Sequence, residues 1–168
     1  KIVDTDGLTE YYSYEGKLLR VSDNSNRSHH LAYESVEHPS ANKTLQRLMA
    51  VSDDYGNTIS IAYGNTAEPE QWTTVRDPAG DAYQYSYNNH GLLISVTYPG
   101  GGIKSYHYED NRFPKALTGI TAENGKRFSH YSYDSDGRAI ESKLTGDVEG
   151  TTVSYDRINN RRSLSNAL

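Results

Sequence analysis

The sequence predicts an all-β fold built from tandem antiparallel hairpins. Tyrosines recur as Tyr-x-Tyr pairs about one hairpin apart, and turns rich in glycine separate these pairs. The steps between second tyrosines range from 19 residues (Tyr14 to Tyr33) to 30 residues (Tyr33 to Tyr63). A step of that size holds two short strands and two turns, so the chain is predicted to be an array of one supersecondary unit.

The tyrosines of this repeat are the candidate contact residues of the chain. The complete pairs are Tyr12 and Tyr14, Tyr85 and Tyr87, Tyr106 and Tyr108, and Tyr131 and Tyr133. Degenerate copies keep only the second tyrosine, at Tyr33, Tyr63 and Tyr155.

Each unit is predicted to be strand, turn, strand, turn. Around the second complete pair, Tyr83, Tyr85 and Tyr87 alternate with polar residues, so the three rings point to one face of a strand. Asn88-Asn89-His90-Gly91 then supplies a turn, because Asn and Gly accept positive φ. A second kind of turn joins the units, as at Asp77-Pro78-Ala79-Gly80, which has the signature of a type I turn.

The chain is predicted to be one repeat segment, residues 1–168, without an internal domain boundary. Within it, 1–43 is expected to hold divergent repeats with polar loops at 23–28 and 38–42, 44–156 regular repeats, and 157–168 a polar tail. The spacing of Leu45, Leu48 and Met49 allows one turn of helix at 44–50. The following Val51 to Gly56, placed like the strand ends of other units, favours a strand there.

Composition excludes several classes of protein. The chain has 15 Tyr against 2 Phe and 1 Trp, a net charge of −5 and no cysteine. The negative charge argues against a nucleic-acid partner, and the missing thiols exclude a disulfide scaffold and thiolate metal sites. The basic group of Arg157, Arg161 and Arg162 is expected to be a solvated end. No apolar run could cross a membrane, and the abrupt start at Lys1 suggests a piece of a longer protein.

No constellation of catalytic or metal-ligating residues is evident. The six histidines have no tight ligand spacing, and neighbours His29 and His30 would face opposite sides of a strand. Asp4-Thr5-Asp6-Gly7 and Asp134-Ser135-Asp136-Gly137 are similar to calcium loops, but the second lacks the required glycine and glutamate positions. Both are predicted to be hairpin turns. We therefore expect no cofactor, no metal site and no enzymatic activity.

The units resemble the YD repeats of bacterial Rhs proteins, which are related to repeats of teneurins and of the toxin-complex C component. Tyr133-Asp134 followed by Gly137-Arg138 matches the YD core, as does Tyr155-Asp156. A longer block from Tyr106 through Arg112-Phe113-Pro114 and Gly119 to Ser142 is also similar. The resemblance covers residues 45–156 well and 1–43 less well.

The resemblance implies a wall segment of a curved, continuous β-sheet. In the family such a sheet forms a hollow shell around a toxic C-terminal domain. The implied partners are the rest of the shell, an enclosed toxin and secretion-apparatus proteins, with self-association possible through sheet edges. The implied setting is bacterial competition, with a product made in the cytoplasm and then secreted or delivered, as in type VI secretion. Asp77-Pro78-Ala79-Gly80 is followed by Asp81 rather than leucine, so the family's cleavage site is not assigned to it.

Two other interpretations remain open from the sequence. The tyrosine ladder suits a packed sheet face, but an exposed aromatic surface with Trp72 could bind carbohydrate or a receptor, as in teneurins. An enzyme assembled from Asp, His and Ser on loops is the less favoured third interpretation.

Overall fold

The computed structural model describes residues 1–38, 43–64, 71–146, 149–156, 158–159 and 161–166. These residues form fifteen β-strands and no helix. They therefore contain no helix that is long and apolar enough to cross a membrane. The strands are β1 (Ile2–Val3), β2 (Thr9–Tyr12), β3 (Leu18–Ser22), β4 (Ser28–His38), β5 (Lys43–Asp53), β6 (Thr58–Tyr63), β7 (Trp72–Arg76), β8 (Ala82–Tyr87), β9 (Leu93–Thr97), β10 (Ile103–His107), β11 (Gly119–Thr121), β12 (Arg127–Tyr133), β13 (Ala139–Leu144), β14 (Thr151–Asp156) and β15 (Arg161–Asn166).

The chain divides into two compact units, residues 1–84 and 85–168. The sequence did not predict this division, which falls inside β8. Within each unit strand order follows chain order, and every described register is antiparallel. The predicted all-β architecture of tandem antiparallel hairpins is confirmed.

The turns follow one design at both ends of the hairpins. In the turn from Asp77 to Asp81, the Asp77 N–H donates to the Asp81 carbonyl and the Gly80 N–H donates to the Asp77 carbonyl. Gly80 takes φ +90°, a left-handed conformation that glycine adopts without steric cost. The same pair of backbone bonds closes the turns that start at Asp4, Ser13, Asp53, Asn88 and Asp134.

The described residues form little conventional core. Val96 is the one buried residue with an apolar side chain among them, and the other buried residues are Ser22, Ser28, Ser129 and Gly119. Each unit is a single layer of strands, so its side chains pack against neighbours on the same face instead of against a second layer.

In the first unit the two faces differ in chemistry. Residues directly opposite each other on paired strands share a face, so the registers identify its members. One face carries a row of small and polar residues: Ala32, Ala50, Ser60, Arg76 and Ala82. The other face carries apolar rows: Leu31, Val51 and Ile59, and then Ile61, Val75 and Tyr83.

The structure differs from the sequence predictions, or decides between them, in three stretches of the first unit. The stretch 44–50 lies in β5, so the strand alternative is correct. The polar loop expected at 23–28 is instead a tight turn in which Asn26, at φ +59°, replaces the usual glycine, and Ser28 already begins β4. The loop expected at 38–42 has its last four residues outside the described residues, while His38 ends β4.

The polar tail expected at 157–168 contains a strand. Residues Arg161–Asn166 form β15, which pairs with β14 over six residue pairs from Thr151 opposite Asn166 to Asp156 opposite Arg161. All six side chains of β15 are exposed. The polar composition of residues 161–166 therefore reflects a strand that faces solvent and not an unstructured tail. Arg157 lies outside the described residues.

Candidate functional surface: the tyrosine ladder

The repeat tyrosines are half-buried parts of the sheet, with two exceptions. Tyr12 is 37% exposed at the end of β2, and Tyr14 is fully exposed. The half-buried members are Tyr33, Tyr63, Tyr85, Tyr87, Tyr106, Tyr108, Tyr131, Tyr133 and Tyr155. We call all of these residues except Tyr14 the tyrosine ladder.

Tyr14 lies in a hairpin turn and not on the ladder. The turn that follows the second tyrosine starts at Asp134 in one hairpin and at Ser13 in the first hairpin, with the same backbone bonds. The structural counterpart of Tyr133 is therefore Tyr12, and the prediction that Tyr14 is a second tyrosine of the repeat is wrong. The counterpart of Tyr131 in the first hairpin is Glu10, which explains why the Tyr-x-Tyr pattern was found two residues too late.

A hydroxyl bond ties four second tyrosines to the preceding hairpin. Each hydroxyl donates to a backbone carbonyl 15 or 16 positions earlier in the chain. The pairs are Tyr63 with Leu48 at 2.8 Å, Tyr108 with Leu93 at 3.1 Å, Tyr133 with Leu117 at 2.7 Å and Tyr155 with Ala139 at 2.9 Å. The ring packs in the sheet while the hydroxyl satisfies a main-chain acceptor.

The acceptors occupy a recurring place in the register. Leu48 pairs with Tyr33, and Ala139 pairs with Tyr133. The hydroxyl of Tyr63 or Tyr155 thus binds the residue that lies opposite the second tyrosine of the previous hairpin. These hydroxyl bonds link each of the two hairpins to the hairpin before it in the chain.

A β-bulge accompanies the second tyrosine in four hairpins. The register shifts between Tyr11 and Tyr12, and again directly before Tyr33, Tyr63 and Tyr133. A bulge adds one residue on one strand, bends it and re-aims the side chains beside it. Its recurrence beside the tyrosines makes it part of the repeat.

Basic side chains stack on three of these rings. The Arg138 guanidinium lies 4.3 Å from the centre of the Tyr155 ring, Arg47 lies 4.4 Å from that of Tyr63, and the Lys17 amine lies 5.2 Å from that of Tyr33. Lys17 and Arg138 each directly follow a turn glycine, Gly16 and Gly137. All three cations contact the tyrosine of the next hairpin. A cation over the face of an aromatic ring is attracted by the negative charge of that face.

The Asp134 turn shows what the YD-type residues do. One carboxylate oxygen of Asp134 accepts the N–H groups of Asp136 and Arg138 at 2.9 and 3.0 Å, which closes the turn. Its other oxygen lies 2.6 Å from Arg138 Nη2. Arg138 also stacks on Tyr155. The Asp134 turn therefore closes its own hairpin and contacts the following hairpin.

Burial affects the acidity of the second tyrosines. It raises the pKa values of Tyr63, Tyr87, Tyr108 and Tyr133 above the usual value, because the phenolate is less well solvated there. A hydrogen bond to Glu10 is the main cause that raises the pKa of Tyr12. The neutral hydroxyl, which can donate to a carbonyl, is thereby favoured at four ladder positions.

An ion-pair network surrounds Gly119 in the second unit. Arg127 donates to Glu109 at 2.9 Å and to the Thr118 carbonyl at 3.0 Å, and its Nε is buried without a partner. Any side chain at Gly119 would collide with the Arg127 guanidinium and with the Ser129 carbonyl oxygen. The pKa of Glu109 is lowered chiefly by its hydrogen bond to Arg127.

Two histidines and the acidic turns make local contacts within the hairpins. His30 contacts the Asp54 carboxylate at 2.9 Å, and His107 contacts the Thr121 hydroxyl at 2.7 Å. Asp4 and Asp134 accept turn N–H groups, as expected for hairpin turns. Within the described ranges no three His, Asp or Glu residues come close enough to hold a metal ion.

Sequence reasoning missed the tyrosine–carbonyl bonds and the stacked cations. Backbone acceptors leave no mark in a sequence, so the hydroxyl partners had no signal. The cations had one, because Lys17 and Arg138 both follow a turn glycine, and a repeat alignment built on the turns would have exposed it.

Comparison with known proteins identifies one repeat directly. Residues 71–103 match the RHS Repeat family. No curated protein sequence matches the chain.

Several solved structures are similar at low identity. They include the crystal structure of TcdB2-TccC3-Cdc42 (12% identity, TM-score 0.47) and a Photorhabdus luminescens Tc holotoxin pore with a TccC3 mutation (13%, TM-score 0.45). Each similarity covers 98% of this chain and 10% of the other, so the chain spans about a tenth of the structures it matches. The family match therefore identifies residues 71–103 as one RHS repeat, in a chain whose other hairpins repeat the same turn and tyrosine geometry.

Proposed function

We propose that residues 1–168 act as one non-enzymatic wall segment of an Rhs-type shell, which encloses a toxin domain and helps deliver it in bacterial competition. The observation that supports the proposal is the way successive hairpins are linked. Tyrosine hydroxyls bind main-chain carbonyls of the preceding hairpin, and cations stack on the next ring.

These links suit a wall better than a binding pocket. All ladder side chains except Tyr12 are half-buried, four of them donate to the chain's own backbone, and the described residues form almost no interior core. A sheet that satisfies its own backbone can extend without a second layer and can screen a cargo. The curvature of the shell and the secretion-apparatus partners belong to the same proposal.

The experiment that tests this role is protease protection of the full-length parent protein. We expect the C-terminal polypeptide to survive a protease that digests it rapidly once the parent is denatured. Replacing Tyr133 and Tyr155 together with Ala should open the wall and shorten that survival, whereas Tyr14→Ala should not. Equal digestion of the C-terminal polypeptide in native and denatured parent would contradict enclosure.

A second function, binding of carbohydrate or a receptor, is supported by aromatic side chains outside the ladder. Trp72 is 45% exposed and Tyr55 is 82% exposed. Trp72 is the sole tryptophan of the chain, so its fluorescence reports on the surface around it. A saturable change in Trp72 fluorescence with an oligosaccharide would favour this function over a purely structural wall.

A further inference from the structure

The turn between β11 and β12 holds the one Asn-Gly step of the chain, Asn124-Gly125. Asparagine is chemically labile, because the backbone nitrogen of the next residue can attack its side-chain amide. A side chain on that next residue obstructs the attack, whereas glycine has no Cβ. Both residues are exposed, and no heavy atom outside the neighbouring residues lies within 4 Å of the Cβ position of Gly125. Base and water therefore reach this step of the chain.

The turn holds the side chain of Asn124 against the main chain. Its Oδ1 accepts the Lys126 N–H at 3.0 Å. In this Asx-turn arrangement the side chain folds over the peptide group that follows it, so Cγ of Asn124 is held near the Gly125 nitrogen. Two reacting groups that are already oriented react faster than two that rotate freely.

A backbone hydrogen bond opposes the reaction. The Gly125 N–H donates to the Ala122 carbonyl at 2.9 Å, and the Ala122 N–H donates to the Lys126 carbonyl at the same distance. The Gly125 nitrogen must lose its proton before it attacks, so its bond to Ala122 has to open first. One backbone hydrogen bond changes such an equilibrium by about fivefold. The folded turn therefore slows the reaction without preventing it.

We propose that Asn124 is a site of spontaneous deamidation in the folded chain, and that opening of the Gly125–Ala122 bond sets its rate. Hydroxide removes the Gly125 N–H proton, and the nitrogen forms a bond to Cγ of Asn124. The bond from Cγ to Nδ2 then breaks, and ammonia leaves with a proton taken from water, which regenerates hydroxide and leaves a succinimide ring. Water opens the ring at Cγ to give aspartate, or at the main-chain carbonyl carbon to give isoaspartate.

The two products affect the turn differently. The turn at Asp134 has Asp136-Gly137 at the same positions and is closed by the same pair of backbone bonds, so aspartate is compatible with this turn. In isoaspartate the main chain gains a methylene group, and the two backbone bonds that close the turn lose their register. Deamidation of Asn124 is therefore expected to loosen the hairpin of β11 and β12. This modification goes beyond the shell role and does not depend on it.

The test ages the native 168-residue chain at mildly alkaline pH and follows residues 116–126, which trypsin releases by cleaving after Lys115 and Lys126. A synthetic peptide of the same residues and the chain in urea are aged in parallel. Mass spectrometry detects the conversion of amide to acid, and reversed-phase chromatography separates the aspartate and isoaspartate forms. We expect Asn124 to convert in the native chain about fivefold more slowly than in the peptide, and in urea at the rate of the peptide.

The chain offers its own controls. Asn89 is also exposed on a turn but is followed by His90, so it should stay intact while Asn124 converts. Asn124→Asp supplies the first product without isoaspartate and should keep the thermal unfolding midpoint of the fresh chain. The aged native chain should unfold at a lower temperature. Asn124→Gln aged for the same time should keep its midpoint, because glutamine would have to form a less favoured six-membered ring.

Three results would overturn the deamidation site. They are an Asn124 that stays intact in the native chain while the peptide converts, equal rates in the native chain and the peptide, and conversion of Asn89 as fast as that of Asn124. An unfolding midpoint that does not change as isoaspartate accumulates would overturn the loosening of the hairpin. None of these results bears on the protease protection of the parent, so the two proposals fail separately.

Discussion

At the residue scale, tyrosine is used here as a packing group with a main-chain donor. Val or Phe could fill much of the same space, but neither could bind the carbonyl oxygen that four second tyrosines reach. The abundance of tyrosine, 15 residues against 2 Phe, therefore has a structural reason that is independent of ligand contact.

Tyr133→Phe is predicted to destabilise the chain by about 1 kcal/mol, because the Leu117 carbonyl loses its donor. The ring and its packing are retained, so the change isolates the hydroxyl. Urea unfolding followed by circular dichroism measures the free energy of unfolding. The matched control is Tyr14→Phe, since Tyr14 is fully exposed on a turn. Equal effects of the two changes would refute a structural role for the hydroxyl.

Gly119→Ala is predicted to cost about 1–3 kcal/mol of stability, the usual range for overpacking. The new methyl group would come within 2.6 Å of the Ser129 carbonyl and would displace Arg127 from Glu109. Gly100→Ala is the control, because no heavy atom lies within 4 Å of the Cβ position there. The midpoint of thermal unfolding should fall for the first variant alone, and an unchanged midpoint would show that Arg127 does not need this space.

At the element scale, the unit of construction is a hairpin with an Asx-type turn, a bulge at the second tyrosine and a bond back to the previous hairpin. The Asp134 turn contains the whole set, with its carboxylate on two turn N–H groups and Arg138 on the next ring. Stability in such an array is the sum of hairpin and neighbour terms, so each link contributes to both hairpins it joins.

The coupling between Arg138 and Tyr155 is predicted to be favourable by about 0.5–1 kcal/mol, the range for an exposed cation–π contact. A double-mutant cycle with Arg138→Gln and Tyr155→Leu measures it as the departure from additivity in the free energy of unfolding. A parallel cycle with Arg138→Gln and Tyr14→Leu should be additive. Additivity in both cycles would mean that the stack contributes nothing to the link.

Much of the element pattern was predictable from the sequence, and the exceptions have physical causes. The alternation of Tyr83, Tyr85 and Tyr87 with polar residues correctly predicted a strand with the three rings on one face. Asn88 to Gly91 correctly predicted the turn that follows it. In the first hairpin the second tyrosine was assigned to Tyr14 instead of Tyr12, because Glu10 occupies the position of the first tyrosine. The turn at Asp23 was missed because Asn26 takes positive φ in place of glycine. The bulges and the carbonyl partners were not predictable, since they depend on register and backbone geometry.

At the scale of the whole molecule, the outermost strands of this chain are exposed. Among the described strands, β1 pairs only with β2 in the first unit and β15 only with β14 in the second, and Ile2, Val3 and Leu164 are between 57% and 66% exposed. Unpaired N–H and C=O groups on an outer strand are a template for another strand. The self-association expected from the sequence thus has candidate surfaces.

The 168-residue chain is predicted to self-associate through these edges. Leu164→Lys, which places a charge on β15, should lower the weight-average mass in sedimentation velocity at rising concentration. Ile158→Lys makes a similar change at an exposed turn position and should have no effect. A chain that stays monomeric at every concentration would argue against association through β15.

The most direct measurement of the wall proposal is an electron cryo-microscopy structure of the full-length parent protein. The account predicts that residues 1–168 lie in the wall of a closed shell, that further strands of the parent pair with the outer edges of β1 and β15, and that the Tyr133 and Tyr155 hydroxyl bonds persist. It also predicts density for a polypeptide inside the shell. A structure in which residues 1–168 stand apart from the rest of the parent, with both edges unpaired and no enclosed space, would contradict it.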